Sequence, residues 1–126
     1  MFGKIFESKE IKALRAQVES MPDDPAAHFN LGAAYEKAGR VKDAVREFEE
    51  TLQHNPKSAE AHYNLALLYE KLNEGEKAIL NILKAGNLFS SKNDQVNKVE
   101  SRGLLRQYYL KFNVKPEDFP QPDLKE

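Results

Sequence analysis

"AHFNLGAAYEKAG", residues 27–39, returns as "AHYNLALLYEKLN", residues 61–73, with every matched letter thirty-four positions on: Ala27 and Ala61, His28 and His62, Asn30 and Asn64, Leu31 and Leu65, Tyr35 and Tyr69, Glu36 and Glu70, Lys37 and Lys71. Within the phrase His28, Leu31, Gly32 and Tyr35 recur at i, i+3, i+4 and i+7, which is one face of a helix, and His62, Leu65, Ala66 and Tyr69 repeat that face. The small residue of each set, Gly32 or Ala66, allows a second helix to come close. Gly39 and Asn73 then stand where a helix ends in the left-handed conformation. Just beyond them a second period begins, with Ala44, Val45, Phe48 and Leu52 in one copy and Ala78, Ile79, Ile82 and Leu83 in the other. Pro56 closes the first copy, because proline cannot continue a helix. Each copy is therefore a helical hairpin.

Residues 25–58 and 59–92 resemble tetratricopeptide repeats, the thirty-four-residue helix–turn–helix unit. The resemblance rests on the large–x–x–Leu–Gly/Ala–x–x–Tyr phrase, on Ala44 and Ala78 at the start of each second helix, and on Pro56. It departs at His28 and His62, where Trp is commonest, and at Ser90, which replaces the second closing proline. It implies an all-α fold, a right-handed α–α superhelix of helical hairpins without strands. It also implies a non-catalytic adaptor or scaffold that holds a partner segment in a concave groove.

The flanks supply what two repeats lack. Residues 1–24 are expected to form an N-terminal helix, a degenerate half-repeat with Ile11, Leu14 and Val18 on its inner face and Ser8 as N-cap. Residues 93–113 form a C-terminal capping helix whose inner face is expected from Val96, Val99, Leu105, Tyr108, Tyr109 and Phe112, with a bend at Gly103. Residues 114–126, "VKPEDFPQPDLKE", form an irregular acidic tail. Phe119 and Leu124 are its apolar side chains, and Phe119 is expected to pack on the protein's own helices or on those of a second copy.

Composition narrows the function. Over 126 residues the formal charge is −1, so no global field draws nucleic acid, and none is expected as a partner. There is no cysteine, which removes disulfides and thiolate chemistry and suits a reducing, cytoplasmic setting. "MFGKIFESKE" is too short in apolar residues for a secretory leader. The bases Lys84, Lys92, Lys98, Arg102, Arg106, Lys111 and Lys115 outnumber acids across the capping helix, whereas Glu117, Asp118, Asp123 and Glu126 make the tail acidic.

No nucleophile, base and oxyanion donors fall in a recognisable order, so no enzyme, metal or cofactor is expected. His28 and His62 lie on the buried face with no carboxylate expected beside them, which makes them packed core histidines. The partner-binding groove is expected from Phe29, Ala33, Glu36 and Lys37 in the first copy, Tyr63, Asn64, Leu67, Glu70 and Lys71 in the second, and Lys98 on the capping helix. Because they face outward, Phe29 and Tyr63 should accept a charge at little cost in stability. Relatives that clamp chaperone carboxylates place lysine, asparagine and arginine where this chain has Phe29, Ala33, Asn64, Asp94 and Lys98. Only Asn64 agrees, and that function is set aside. The expected partner is a protein or peptide with apolar side chains. The alternative is a self-associating component forming a homo-oligomer, and membrane attachment through Phe2, Ile5 and Phe6 is the weakest reading.

Overall fold

The computed structural model describes residues 7–119. They form six α-helices and one turn of 3-10 helix: α1 (Lys9–Ser20), α2 (Pro25–Lys37), α3 (Val41–His54), α4 (Ala59–Lys71), α5 (Gly75–Ser91), α6 (Gln95–Lys111) and the 3-10 turn Pro116–Asp118. No strand occurs among the described residues. The fold is all-α, as the periodicity implied. Phe2, Ile5, Phe6 and Leu124 lie outside the described residues. No helix among those described is long and apolar enough to cross a membrane.

The chain divides into two compact units, one ending at Pro56 and one starting at Lys57. In the first, α2 and α3 close as a hairpin over Leu31, Tyr35, Ala44 and Phe48, all buried, while α1 lays Ile11 inward. Burying a side chain of this size removes it from water at a gain of roughly 1.5–3 kcal/mol. Gly32 is what lets the helices approach. A Cβ built there would stand 3.1 Å from the Phe48 ring. In the second unit α4 and α5 repeat the hairpin over Leu65, Ala66, Leu68, Ile79 and Ile82, and α6 packs along α5.

Starts and stops follow local chemistry. Ser8 caps α1 as its sequence suggested, accepting from the Ile11 N–H at 3.1 Å. Asp24, Ser58 and Asp94 do the same for α2, α4 and α6. Gly39 and Asn73 end equivalent helices with φ of 77° and 59°, and Asn93 and Asn113 end α5 and α6 in the same way. Each of the four is followed by an N–H that reaches back five residues: Arg40 to Tyr35, Glu74 to Tyr69, Asp94 to Phe89, Val114 to Tyr109. This is the Schellman closure, which satisfies carbonyls the helix leaves over.

The two hairpins differ at their exits. Pro56 follows closely on α3, which ends at His54, but Ser90 imposes no such stop and α5 runs on to Ser91. The three N-caps Asp24, Ser58 and Asp94 are consequently thirty-four and then thirty-six residues apart. That shift of two corrects the expected face of the capping helix. Its buried side chains are Lys98, Ser101, Leu105 and Tyr108, whereas Val96 is 78% and Val99 65% exposed. Ser101 is small enough to sit against Gly86 of α5, where an added Cβ would be 3.6 Å away. The helix is continuous across Gly103. At its end Phe112 covers Gly75, so tightly that a Cβ on Gly75 would stand 2.6 Å from the ring.

Candidate functional site

The residues expected to bind lie on α2 and on α4, in each case less exposed than the sequence suggested. On α2, Ala33 and Lys37 are exposed, and Phe29 and Glu36 are half-buried. Phe29 meets Phe48 edge to face, with centroids 5.3 Å apart. On α4, Lys71 is exposed while Tyr63, Asn64, Leu67 and Glu70 are half-buried. Tyr63 makes the same kind of contact with Phe89 at 6.4 Å, on the extra turn of α5 that Ser90 permits. Its hydroxyl donates to Glu100, and burial together with that carboxylate pushes the phenol up to about 12. The expectation that a charge at Phe29 or Tyr63 costs little is thus corrected: each ring is wedged against an aromatic of the second helix, and a carboxylate there would lose that packing. Glu70 is tied to α6 by the Lys111 ammonium at 3.1 Å.

Lys98 does not belong to this face. It is 6% exposed and lies on the inner side of α6, because the thirty-six-residue step puts it level with His28 and His62. In that register the positions equivalent to Phe29 and Tyr63, and to Ala33 and Leu67, are Val99 and Gly103. The same shift replaces Asp94 and Lys98 by Val96 and Glu100 in the carboxylate-clamp comparison, which removes the last cation from it.

The histidines are core residues, with one correction. A carboxylate does share the His28 site: Glu47 of α3 accepts from Nδ1 at 2.8 Å, and the Pro22 carbonyl accepts from Nε2 at 2.6 Å. Two acceptors require two N–H groups, so this geometry fits the imidazolium form. Burial works against that charge. The bonds to Glu47 and Pro22, with the charges of Glu47 and Glu50, outweigh it and hold the group above its ordinary range. His62 occupies the equivalent place, and there Nδ1 meets the uncharged Asn81 at 2.9 Å. Asn81 donates its own NH2 to the Lys77 carbonyl, so its oxygen faces the ring.

Two further clusters had no signal in the sequence, because their members come from distant stretches. His28, Glu50 and His54 bring possible ligand atoms within 4.8 Å of one another. Both nitrogens of His28 are already engaged and its ring stacks on His54 at 5.6 Å, so binding a metal would first break the hairpin's own bonds. The second cluster is a cleft of about 820 Å³ lined by Glu7, Lys12, Arg15, Tyr35, Arg40, Asp43 and Arg46. The Glu7 side chain is covered there, receiving Arg15 and, at 2.8 Å, Arg40, and its carboxyl is held below its ordinary value, first by the bond from Arg15. Arg15 also donates to the Tyr35 hydroxyl at 3.2 Å, and Arg40 lies 4.6 Å over the Tyr35 ring. The cluster ties Glu7 and Arg15 to the α2–α3 hairpin through Arg40 and Tyr35.

Comparison with known proteins agrees with this architecture. Two sequence profiles, each described as tetratricopeptide repeat, match residues 6–55 and 34–86. No curated protein matches the chain. Among solved structures, the Yersinia enterocolitica type III secretion translocator chaperone SycD is similar with a TM-score of 0.78 and 17% identity, over 82% of this chain and 72% of that one. MamA is similar in two structures, with a TM-score of 0.59 and 21% identity over 80% of this chain and 67% or 63% of theirs. At such identities the likeness concerns the fold.

Proposed function

This chain belongs to the tetratricopeptide repeat family, and we propose that it is a non-catalytic interaction module, an adaptor that holds an apolar segment of a partner protein in the concave groove its family forms. One observation carries the reading. The same positions of α2 and α4, Phe29 with Ala33 and Tyr63 with Leu67, keep apolar surface open to solvent, each followed by a Glu–Lys pair. Half-exposed aromatics backed by packed rings are rigid anchors, which suits them to binding at low entropic cost. The titratable groups support binding over catalysis, since His28 and Glu7 are occupied in holding helices together. SycD, a translocator chaperone by description, exemplifies a binding role on this fold. The cysteine-free composition suits the cytoplasm.

The test is selection from a displayed peptide library. The wild type should enrich sequences with apolar anchors. An Ala33→Glu/Leu67→Glu variant, its fold checked by circular dichroism, should lose them. Equal enrichment by both proteins would refute the reading.

A further inference from the structure

The outer face of α6 leaves a seam unused. Val96, Val99, Gly103, Arg106 and Leu110 are spaced by three, four, three and four residues, which is the spacing of core positions in paired helices. Val96 is 78%, Val99 65% and Leu110 84% exposed. The opposite side of the helix, Lys98, Ser101, Leu105 and Tyr108, is already buried within the unit. A helix that only needs solvation on its outer face would carry polar residues at these places.

We propose that two copies of this chain pair through α6, with the helices antiparallel. The seam complements itself when it is reversed. In an antiparallel pair each core position of one kind meets a position of the other kind, so Val99 faces Leu110 of the second copy, and Gly103 faces Arg106; two-fold symmetry makes each contact occur twice. Gly103 leaves a gap that a long side chain fills. Arg106 already lies over that gap in its own chain, 4.0 Å from where a Cβ would be. Across the pair Arg106 reaches Glu100 of the other copy, one turn before its Gly103, and the Tyr63 hydroxyl holds that carboxylate in place. A parallel pair would set Arg106 against Arg106 and is disfavoured by like charge. One seventeen-residue helix buries less than the roughly 800 Å² per partner of a standard interface. The pair is therefore weak and concentration-dependent. The proposal concerns α6 alone and stands whether or not α2 and α4 bind a partner.

The natural chain has no cysteine, so introduced ones report without background. Val99→Cys and Leu110→Cys proteins, mixed and mildly oxidised, should give a disulfide-linked dimer. Neither should crosslink to itself efficiently, since Val99 of one copy lies about 16 Å along the helix from Val99 of the other, beyond disulfide reach. In sedimentation equilibrium the wild type should approach dimer mass as concentration rises, and Leu110→Glu should stay monomeric. Glu100→Arg and Arg106→Glu should each weaken the pair several-fold, and the two together should restore it. Val99→Cys crosslinking to itself as readily as to Leu110→Cys would overturn the antiparallel pairing. A monomer at every concentration without crosslinks, or a dimer indifferent to Leu110→Glu, would overturn the proposal. So would dimerisation seen only after residues 120–126 are deleted, which would make the tail the occupant.

Discussion

The two hairpins share a phrase and differ in how they hold it. In the first, His28 is clamped by the charged Glu47 and the Pro22 carbonyl, Phe48 lies on Gly32, and a proline follows the exit. In the second, His62 meets the neutral Asn81, Ala66 and Ile82 stand, both buried, at the positions equivalent to Gly32 and Phe48, and the exit is left open at Ser90. One backbone therefore tolerates two solutions at each of three points, provided each is complete. A bulky ring goes with a glycine opposite, a smaller side chain goes with an alanine, and each histidine has an acceptor at Nδ1, charged in the first hairpin and neutral in the second. The open exit lengthens α5, shifts α6 by two residues and turns Val96 and Val99 outward.

Truncation should separate the hairpins most strongly. Phe48→Ala should cost about 3–5 kcal/mol of unfolding free energy, because it empties a fully buried site and removes the support of Phe29. Ile82→Ala should leave Tyr63 anchored, since that ring leans on Phe89. Denaturant midpoints check the first, and a loss under about 1 kcal/mol would mean that the Gly32–Phe48 contact is not what closes the hairpin.

Next comes Gly75, which stands where the first hairpin has Val41. Gly75→Val should cost about 1–3 kcal/mol by overpacking Phe112. Adding Phe112→Ala should remove most of the clash, so the double variant should lose less than the two singles together.

The clamped histidine sets a pH window. Its folded pKa is raised above the ordinary 6.5, so its stabilisation is fully present below about that pH and is lost as pH rises through the raised value. Glu47→Asn copies the second hairpin and should flatten that part of the stability profile. An unchanged slope in Glu47→Asn would assign the dependence to another group.

The smallest effect belongs to the helix ends. Gly39→Asn should change stability by no more than about 0.5 kcal/mol, because Asn73, Asn93 and Asn113 hold the same left-handed conformation. Gly39→Ala should cost about 1 kcal/mol for the same φ. Thermal unfolding of the two variants distinguishes them.

Most of the fold is legible in the chain because its signals are local. The buried faces of α2 and α4, their left-handed ends and the Ser8 cap all depend on residues a few positions apart. What escapes local reading depends on neighbours brought from afar. Glu47 reaches His28 across nineteen positions, and nothing near either residue announces the pair. Ser90 was visible as a missing proline, but its consequence, a step of thirty-six in place of thirty-four, decides that Lys98 is buried and Val99 exposed. The half-burial of Phe29 and Tyr63 likewise follows from rings on the neighbouring helix.

The central claim is that the outward faces of α2 and α4 receive the partner. Backbone amide shifts, measured as a selected apolar peptide is titrated into the labelled protein, test it most directly. The account predicts that the largest changes fall at and beside Phe29, Ala33, Tyr63 and Leu67. Changes confined to the cleft around Arg15 and Arg40, with those four positions still, would contradict it.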